Sequence, residues 1–256
     1  MIEKLDKLIG SGAQADVYCV GNKAIKLFKE HCLKAEVFYE AAIHSMVENI
    51  KLPIPKIYEV IEYKGRMAIV MDLIEGTSMK QIIRNDINNI DSYIDIIIDL
   101  QIKIHSINAF GFPKMKDRLP QCITNSTVLN NQQKEKLMVL LNRFNKGISL
   151  CHGDYHFNNL IMTNKTLMVI DWVDATCGSP EADLCRTYML YSLYAPKGFA
   201  DMYLNVYCQK TNKAHNEILK WLPIIAGARL SEKNEEEKDK LIKWVEMDVD
   251  KLNVEW

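Results

Sequence analysis

One short stretch concentrates side chains able to handle a proton and a hard cation. It reads Cys151-His152-Gly153-Asp154-Tyr155-His156-Phe157-Asn158-Asn159-Leu160, and Val169-Ile170-Asp171-Trp172 follows. Asp154 and Asn159 stand five residues apart in a polar, Asn-rich loop between apolar runs, and Asp171 closes the next such run. This order fits one carboxylate beside a reacting hydroxyl, with an amide and a second carboxylate sharing Mg²⁺. That cation takes oxygen ligands, few of them from protein and the rest from phosphates and water. A hydrogen-bonded Asp/Asn turn would explain any one of these residues, but the ordered set favours chemistry. His152 and His156 are four apart, as in zinc hydrolases. The intervening Gly153-Asp154-Tyr155 lacks the required Glu and makes a poor helix, so zinc hydrolysis is set aside.

Two upstream features suit phosphate. Gly10-Ser11-Gly12-Ala13-Gln14-Ala15 reads as a small-residue turn between strands, and glycines let backbone N–H groups approach phosphate oxygens. No Gly-Lys-Ser/Thr follows, so it is not a Walker loop. Lys26 lies inside the apolar run Ala24-Ile25-Lys26-Leu27-Phe28. A lysine there is commonly a solvated edge residue; the alternative is the strand lysine of a V-A-I-K element. A helix with an inward acidic residue should then follow. Glu40 fits that place, with Glu36 one turn earlier as its rival.

These residues need elements to position them. Period-2 runs predict strands at 3–9, 16–20, 23–28, 57–63 and 67–73, with Gly21-Asn22 as a hairpin turn. Residues 33–47 read as a helix with Val37, Ala41, His44 and Val47 on one face, ended by Leu52-Pro53-Ile54-Pro55. Helices are predicted at 78–84, 92–107, 131–145, 180–194, 199–209, 215–230 and 235–249. A β-type island at 160–170 is broken by Thr163-Asn164-Lys165. The expected class is α+β: a β-rich N-terminal lobe over 1–75, a mainly helical C-terminal lobe over 76–256, and a hinge at 72–76.

Composition agrees with that plan. The 256 residues are 48% hydrophobic and 25% charged, which excludes a disordered or low-complexity chain and suggests one large domain or two lobes sharing a cleft. Lys plus Arg is 32 and Asp plus Glu is 33, with no basic stripe to suggest nucleic acid. The first ten residues are too charged for a secretory signal, and no apolar run is long enough to span a bilayer, so no membrane partner is expected. The seven cysteines include no C-x-x-C pair and read as reduced thiols of a cytoplasmic protein.

Glycine turn, strand Lys, helix Glu, hinge, Asp-x4-Asn loop and strand-end Asp, in that order, resemble the protein-kinase-like superfamily. More closely, and over nearly the whole chain, they resemble the aminoglycoside phosphotransferase family of small-molecule kinases. Eukaryotic protein kinases carry Arg where Gly153 stands and Phe-Gly where Trp172-Val173 follows Asp171, and their Ala-Pro-Glu anchor is missing here. A small-molecule acceptor is therefore expected.

The resemblance implies a protein-kinase-like two-lobed fold and a role for each residue. Asp154 would position the acceptor hydroxyl and take its proton, and Asn159 and Asp171 would hold Mg²⁺. Lys26, held by Glu40, would meet the α- and β-phosphates of ATP or GTP. Gly10, Ser11 and Gly12 would lie along those phosphates, and the backbone from Asp72 to Ile74 would meet the purine. Asp183 resembles an acid that props the catalytic loop; as a first-turn helix acid it is also favoured by the helix dipole alone. The chain departs from the family pattern at Ala15, in place of a third glycine, and at Phe157 and Asn158. From Ser231 onward nine acidic residues stand against five lysines, which would suit a cationic acceptor or simply form a solvated helix face. A non-catalytic nucleotide-binding protein is the alternative from another class. Lys26, Asp154, Asn159 and Asp171 together speak against it.

Overall fold

The structure is a computed structural model that describes residues 4–232 and 234–251. Its first elements are β1 (Lys7–Ser11), β2 (Ala15–Val20), β3 (Lys23–Phe28), α1 (Lys34–Glu48), β4 (Ile57–Tyr63) and β5 (Arg66–Asp72). Next come β6 (Thr77–Ser78), α2 (Met79–Asn85), α3 (Ile90–His105), α4 (Met115–Asn125), α5 (Asn131–Asn142) and β7 (Ser149–Cys151). The chain continues through β8 (Leu160–Met162), β9 (Leu167–Val169), β10 (Thr176–Gly178), α6 (Pro180–Tyr194) and α7 (Phe199–Thr211). It closes with α8 (His215–Leu219), α9 (Leu222–Arg229) and α10 (Lys238–Val245).

These elements group into two units. Residues 4–87 with Phe157–Asp174 form the first, and Asn88–His156 with residues 175–251 form the second. In the first, five antiparallel strands run in the order β1-β2-β3-β5-β4. Side chains alternate across a strand, so in β3 Ala24, Lys26 and Phe28 share one face while Ile25 and Leu27 share the other. Phe28 packs with Ala15, Ile69 and Val37 of α1. Ile25 and Leu27 pack with Ala68 and Val70 on the opposite side. The alternation therefore turns Lys26 toward α1. That helix buries Val37, Glu40, Ile43, His44 and Val47, a stripe at three- and four-residue spacing. A three-stranded sheet β6-β8-β9 completes the unit. Gly76 passes so close to β8 that a Cβ there would lie 2.4 Å from the Met162 carbonyl oxygen.

The second unit is helical around α9, whose Leu222, Ile224, Ile225, Ala226 and Ala228 are buried against α4, α5, α6 and α10. The short antiparallel pair β7-β10 leads into the loop at 152–156. Among the described residues no helix is long and apolar enough to cross a membrane, and none of the seven cysteines is in a disulfide.

The α+β class and most elements match the sequence reading. Five local differences stand beside this agreement. β1 runs to Ser11, so Gly10 and Ser11 belong to the strand and the turn proper is 12–14; Glu3 lies outside the described residues. The helix expected at 215–230 is two helices, because Pro223 fits the first turn of α9 and would break a helix interior. The helix expected at 235–249 is confined to α10. α4 forms despite Pro120, and the three-residue strands β7 and β10 are too short to carry a periodic pattern.

Candidate active site

In the first unit, the Lys26 ammonium lies 2.6 Å from Glu40 Oε1 and 3.2 Å from Asp171 Oδ1. Glu40 is reached because it lies on the buried stripe of α1. Glu36 is exposed at the helix start, where its carboxylate accepts the Leu33 N–H at 2.8 Å. Burial alone would lower the Lys26 pKa, but the charges of Asp171 and Glu40 outweigh it, so the ammonium stays charged.

Asn159 and Asp171 come together through a hairpin. Leu160 pairs with Val169 across β8-β9, and the Ile170 N–H donates to the Asn159 carbonyl at 3.0 Å. The two residues therefore flank the same end of the hairpin, whose far end is a turn held by Thr163 and Thr166. Asp171 has φ 64°, in the left-handed region that Asp tolerates better than most side chains. The next residue anchors it: Trp172 is 1% exposed and donates Nε1–H to the Val169 carbonyl.

In the second unit, residues 152–156 leave β7 as a loop braced from below. Asp183, in the first turn of α6, accepts the Gly153 N–H at 2.7 Å and the His152 N–H at 3.1 Å. Gly153 has φ 82°, a backbone state that an Arg would adopt only under strain. The His105 ring bridges Asp183, at 2.9 Å, and the Tyr207 hydroxyl, at 2.8 Å. Buried Tyr155 donates to the Ile97 carbonyl. Above these supports, Asp154 Oδ2 lies 3.1 Å from His156 Nε2, and its Oδ1 lies 3.5 Å from the Arg186 guanidinium. Burial would raise the Asp154 pKa. The His156 hydrogen bond and the Arg186 charge overcome it and hold the carboxyl well below the usual range. Asp154 is thus a carboxylate at any working pH.

The remaining predicted residues are placed as follows. Asp72 ends β5 with its carboxylate turned onto the sheet, accepting from the Tyr58 hydroxyl at 2.7 Å and the Lys56 N–H at 3.1 Å. Ile74 lies in the irregular link between β5 and β6. Gly12 closes a turn by donating its N–H to the Ala15 carbonyl, and the Ser11 hydroxyl bonds Asp16.

A model of the phosphotransferase enzyme family matches residues 7–221. The chain belongs to that family. A search of curated protein sequences finds no match. Among solved structures, the chain is similar to a thermostable mutant of aminoglycoside phosphotransferase APH(4)-Ia in ternary complex with AMP-PNP and hygromycin B. There the TM-score is 0.70 at 14% identity, over 96% of this chain and 91% of that one. It is also similar to ADP-bound aminoglycoside phosphotransferase APH(2'')-Ib, with TM-score 0.62 and 19% identity over 97% and 95% of the two chains. A choline/ethanolamine kinase family protein from Mesorhizobium loti gives TM-score 0.64 and 13% identity over 95% and 88%. At these identities the likeness establishes the kinase-like fold of the phosphotransferase family.

Sequence reasoning missed three residues of this family member's site. Arg186 follows Asp183 by one helical turn, so α6 supplies both the brace under the loop and the cation at Asp154; the helix phase carried that signal. His105 and Tyr207 carried none, because each meets its partner from a distant helix. Four acids of the tail meet cations: Glu232 meets Arg186 and Arg229, Glu237 meets Arg229, Glu235 meets Lys238 and Asp250 meets Arg143. Of its counted charges, Lys233 and Glu255 lie outside the described residues.

The brace has a measurable pH signature. Burial would raise the Asp183 pKa, but hydrogen bonds from His105 and Gly153 and the histidine charges keep it below the usual carboxylate range. A carboxyl depressed in this way stabilises the fold above its unfolded-state value, near pH 4, and loses that contribution as pH falls through the folded value. Asp183→Ala strands two N–H groups and His105. It is expected to lower stability by roughly 3 kcal/mol at neutral pH. The deficit should narrow below about pH 4, as urea denaturation across pH would record.

Proposed function

We propose that this chain transfers the γ-phosphoryl group of ATP or GTP to a hydroxyl of a small molecule. The observation that carries the reading is the convergence of Glu40 and Asp171 on the Lys26 ammonium, in a chain that also presents an ionised, braced Asp154. Lys26 meets the α- and β-phosphates. Asp154 accepts a hydrogen bond from the acceptor hydroxyl and takes its proton as the oxygen bonds to the γ-phosphorus and the bond to the β-phosphate oxygen breaks. The transition state is loose, so orienting the hydroxyl matters more than strong basicity, and a carboxylate of depressed pKa suffices.

Mg²⁺ fits the donor set. Asn159 and Asp171 offer amide and carboxylate oxygens at one end of a hairpin, the hard ligands that cation takes. Among the described residues no group of three His, Cys, Asp or Glu could hold a metal alone, so nucleotide phosphates and water would complete the shell. Bound there, the cation would neutralise charge on the phosphate oxygens.

An aminoglycoside-type antibiotic is the acceptor class favoured by the likeness to two aminoglycoside phosphotransferases, one of them bound to hygromycin B. The choline/ethanolamine kinase neighbour favours a small amino alcohol as the second reading. Comparing kcat/KM for aminoglycosides, choline, ethanolamine, thiamine and sugars decides between them. The first reading expects the highest value on an aminoglycoside, and a higher value on choline or ethanolamine would replace it.

A further inference from the structure

The turn that follows β1 is held by a second lysine. Lys29, just past the end of β3, reaches back and donates its ammonium to the Gly12 carbonyl at 2.6 Å. Its own N–H donates to the Gln14 carbonyl at 2.8 Å, and the Cys32 thiol donates to that same oxygen at 3.3 Å. The Ala15 carbonyl is taken by the Gly12 N–H at 2.9 Å. Three acceptors of this turn, at residues 12, 14 and 15, are thus satisfied by donors of the protein itself.

A trans peptide is planar, with its C=O and N–H pointing in opposite directions. By taking the Gly12 carbonyl, the Lys29 ammonium therefore fixes the Ala13 N–H on the other side of the turn. Ala13 is exposed, and its N–H has no protein acceptor among the described residues. Where a third glycine would give freedom to aim such a group, this chain has Ala15, 6% exposed and locked into the packing of Phe28 and Val37. Orientation has to come from elsewhere, and a bond from a charged donor is stronger than one from a neutral group.

We propose that Lys29 is a positioning residue for nucleotide phosphates: its ammonium clamps the Gly12–Ala13 peptide so that the Ala13 N–H is presented to a phosphate oxygen. This rests on the phosphotransfer reading above and adds a residue to it. Lys29 acts through the loop, whereas Lys26 acts on the phosphates directly. The role is specific to phosphate and leaves recognition of the base untouched.

Calorimetric titration of the full chain with MgATP, MgADP and adenosine tests this. Lys29→Met, which keeps the stem and removes the charge, is expected to weaken MgATP and MgADP by about tenfold, the size of one partly exposed charge-assisted hydrogen bond. Adenosine affinity should stay within about twofold, since no phosphate contact is involved. Lys29→Arg can still donate to the carbonyl and should retain most of the MgATP affinity. Lys29→Gln, shorter and uncharged, should repeat the phosphate-specific loss and serves if the methionine variant does not fold. In ¹⁵N-correlated NMR spectra the Ala13 amide should shift on MgADP addition in the unaltered chain and shift less in Lys29→Met. Unchanged MgATP affinity in the neutral variants, or an equal loss for MgATP and adenosine, would overturn the role of Lys29. An unaltered chain that binds neither MgATP nor MgGTP would instead overturn the phosphotransfer reading, and this one with it.

Discussion

Asp154→Asn is expected to bind nucleotide as the unaltered chain does and to transfer phosphoryl on the order of 10²-fold more slowly or worse. Asparagine keeps the shape and removes both the charge and the proton acceptor. The loop itself should persist, because its supports are elsewhere: the Gly153 and His152 N–H groups on Asp183, and Tyr155 on the Ile97 carbonyl. What changes locally is charge balance, since His156 and Arg186 lose the carboxylate they face. Arg186 retains Glu232 at 3.1 Å, which keeps the substitution from stranding a cation. Steady-state kinetics on the true acceptor beside nucleotide titration checks the claim. A kcat close to that of the unaltered chain would remove Asp154 from the mechanism.

Asp171→Ala should be more damaging to catalysis and mild on the fold. The carboxylate is proposed to supply one of two protein oxygens to Mg²⁺, and several kcal/mol of charge stabilisation corresponds to roughly 10³-fold in rate or more. Lys26 keeps Glu40 at 2.6 Å, so no buried cation is left alone. The left-handed backbone at this position disfavours alanine by roughly 1–2 kcal/mol, whereas asparagine tolerates it. Asp171→Asn separates the two effects: it should fold as the unaltered chain does, and its slow turnover should rise with added Mg²⁺. Turnover of either variant at ordinary Mg²⁺ that matches the unaltered chain would contradict the metal role.

The sequence disclosed the parts of this molecule that depend on local periodicity. Alternation in β3 turns Lys26 toward the face of Phe28, and the expected helix carries Glu40, the residue preferred over Glu36, on its buried face. The hairpin around Thr163 brought Asn159 and Asp171 to one end. Each of these follows from spacings of two to four residues plus a turn. What stayed hidden depends on long-range packing. His105 and Tyr207 belong to helices whose meeting with Asp183 no spacing announces. Asp183 itself could be read as a helix-dipole acid until its carboxylate was seen on the Gly153 N–H. α4 was masked by Pro120, and the break between α8 and α9 lay inside a continuous apolar pattern. The acidic tail shows the converse: of a charge excess evident in the sequence, Glu232, Glu237 and Asp250 are paired with Arg143, Arg186 and Arg229 in the fold.

The most direct measurement is acceptor-dependent release of nucleoside diphosphate from MgATP or MgGTP, with ³¹P NMR of the products, over a panel of hydroxyl-bearing small molecules. The account predicts that at least one acceptor gives a phosphate monoester in equal amount to the diphosphate released, and that Asp154→Asn sharply slows both. A chain that binds MgATP or MgGTP yet forms no ester with any acceptor of the panel would contradict it and leave a nucleotide-binding protein in its place.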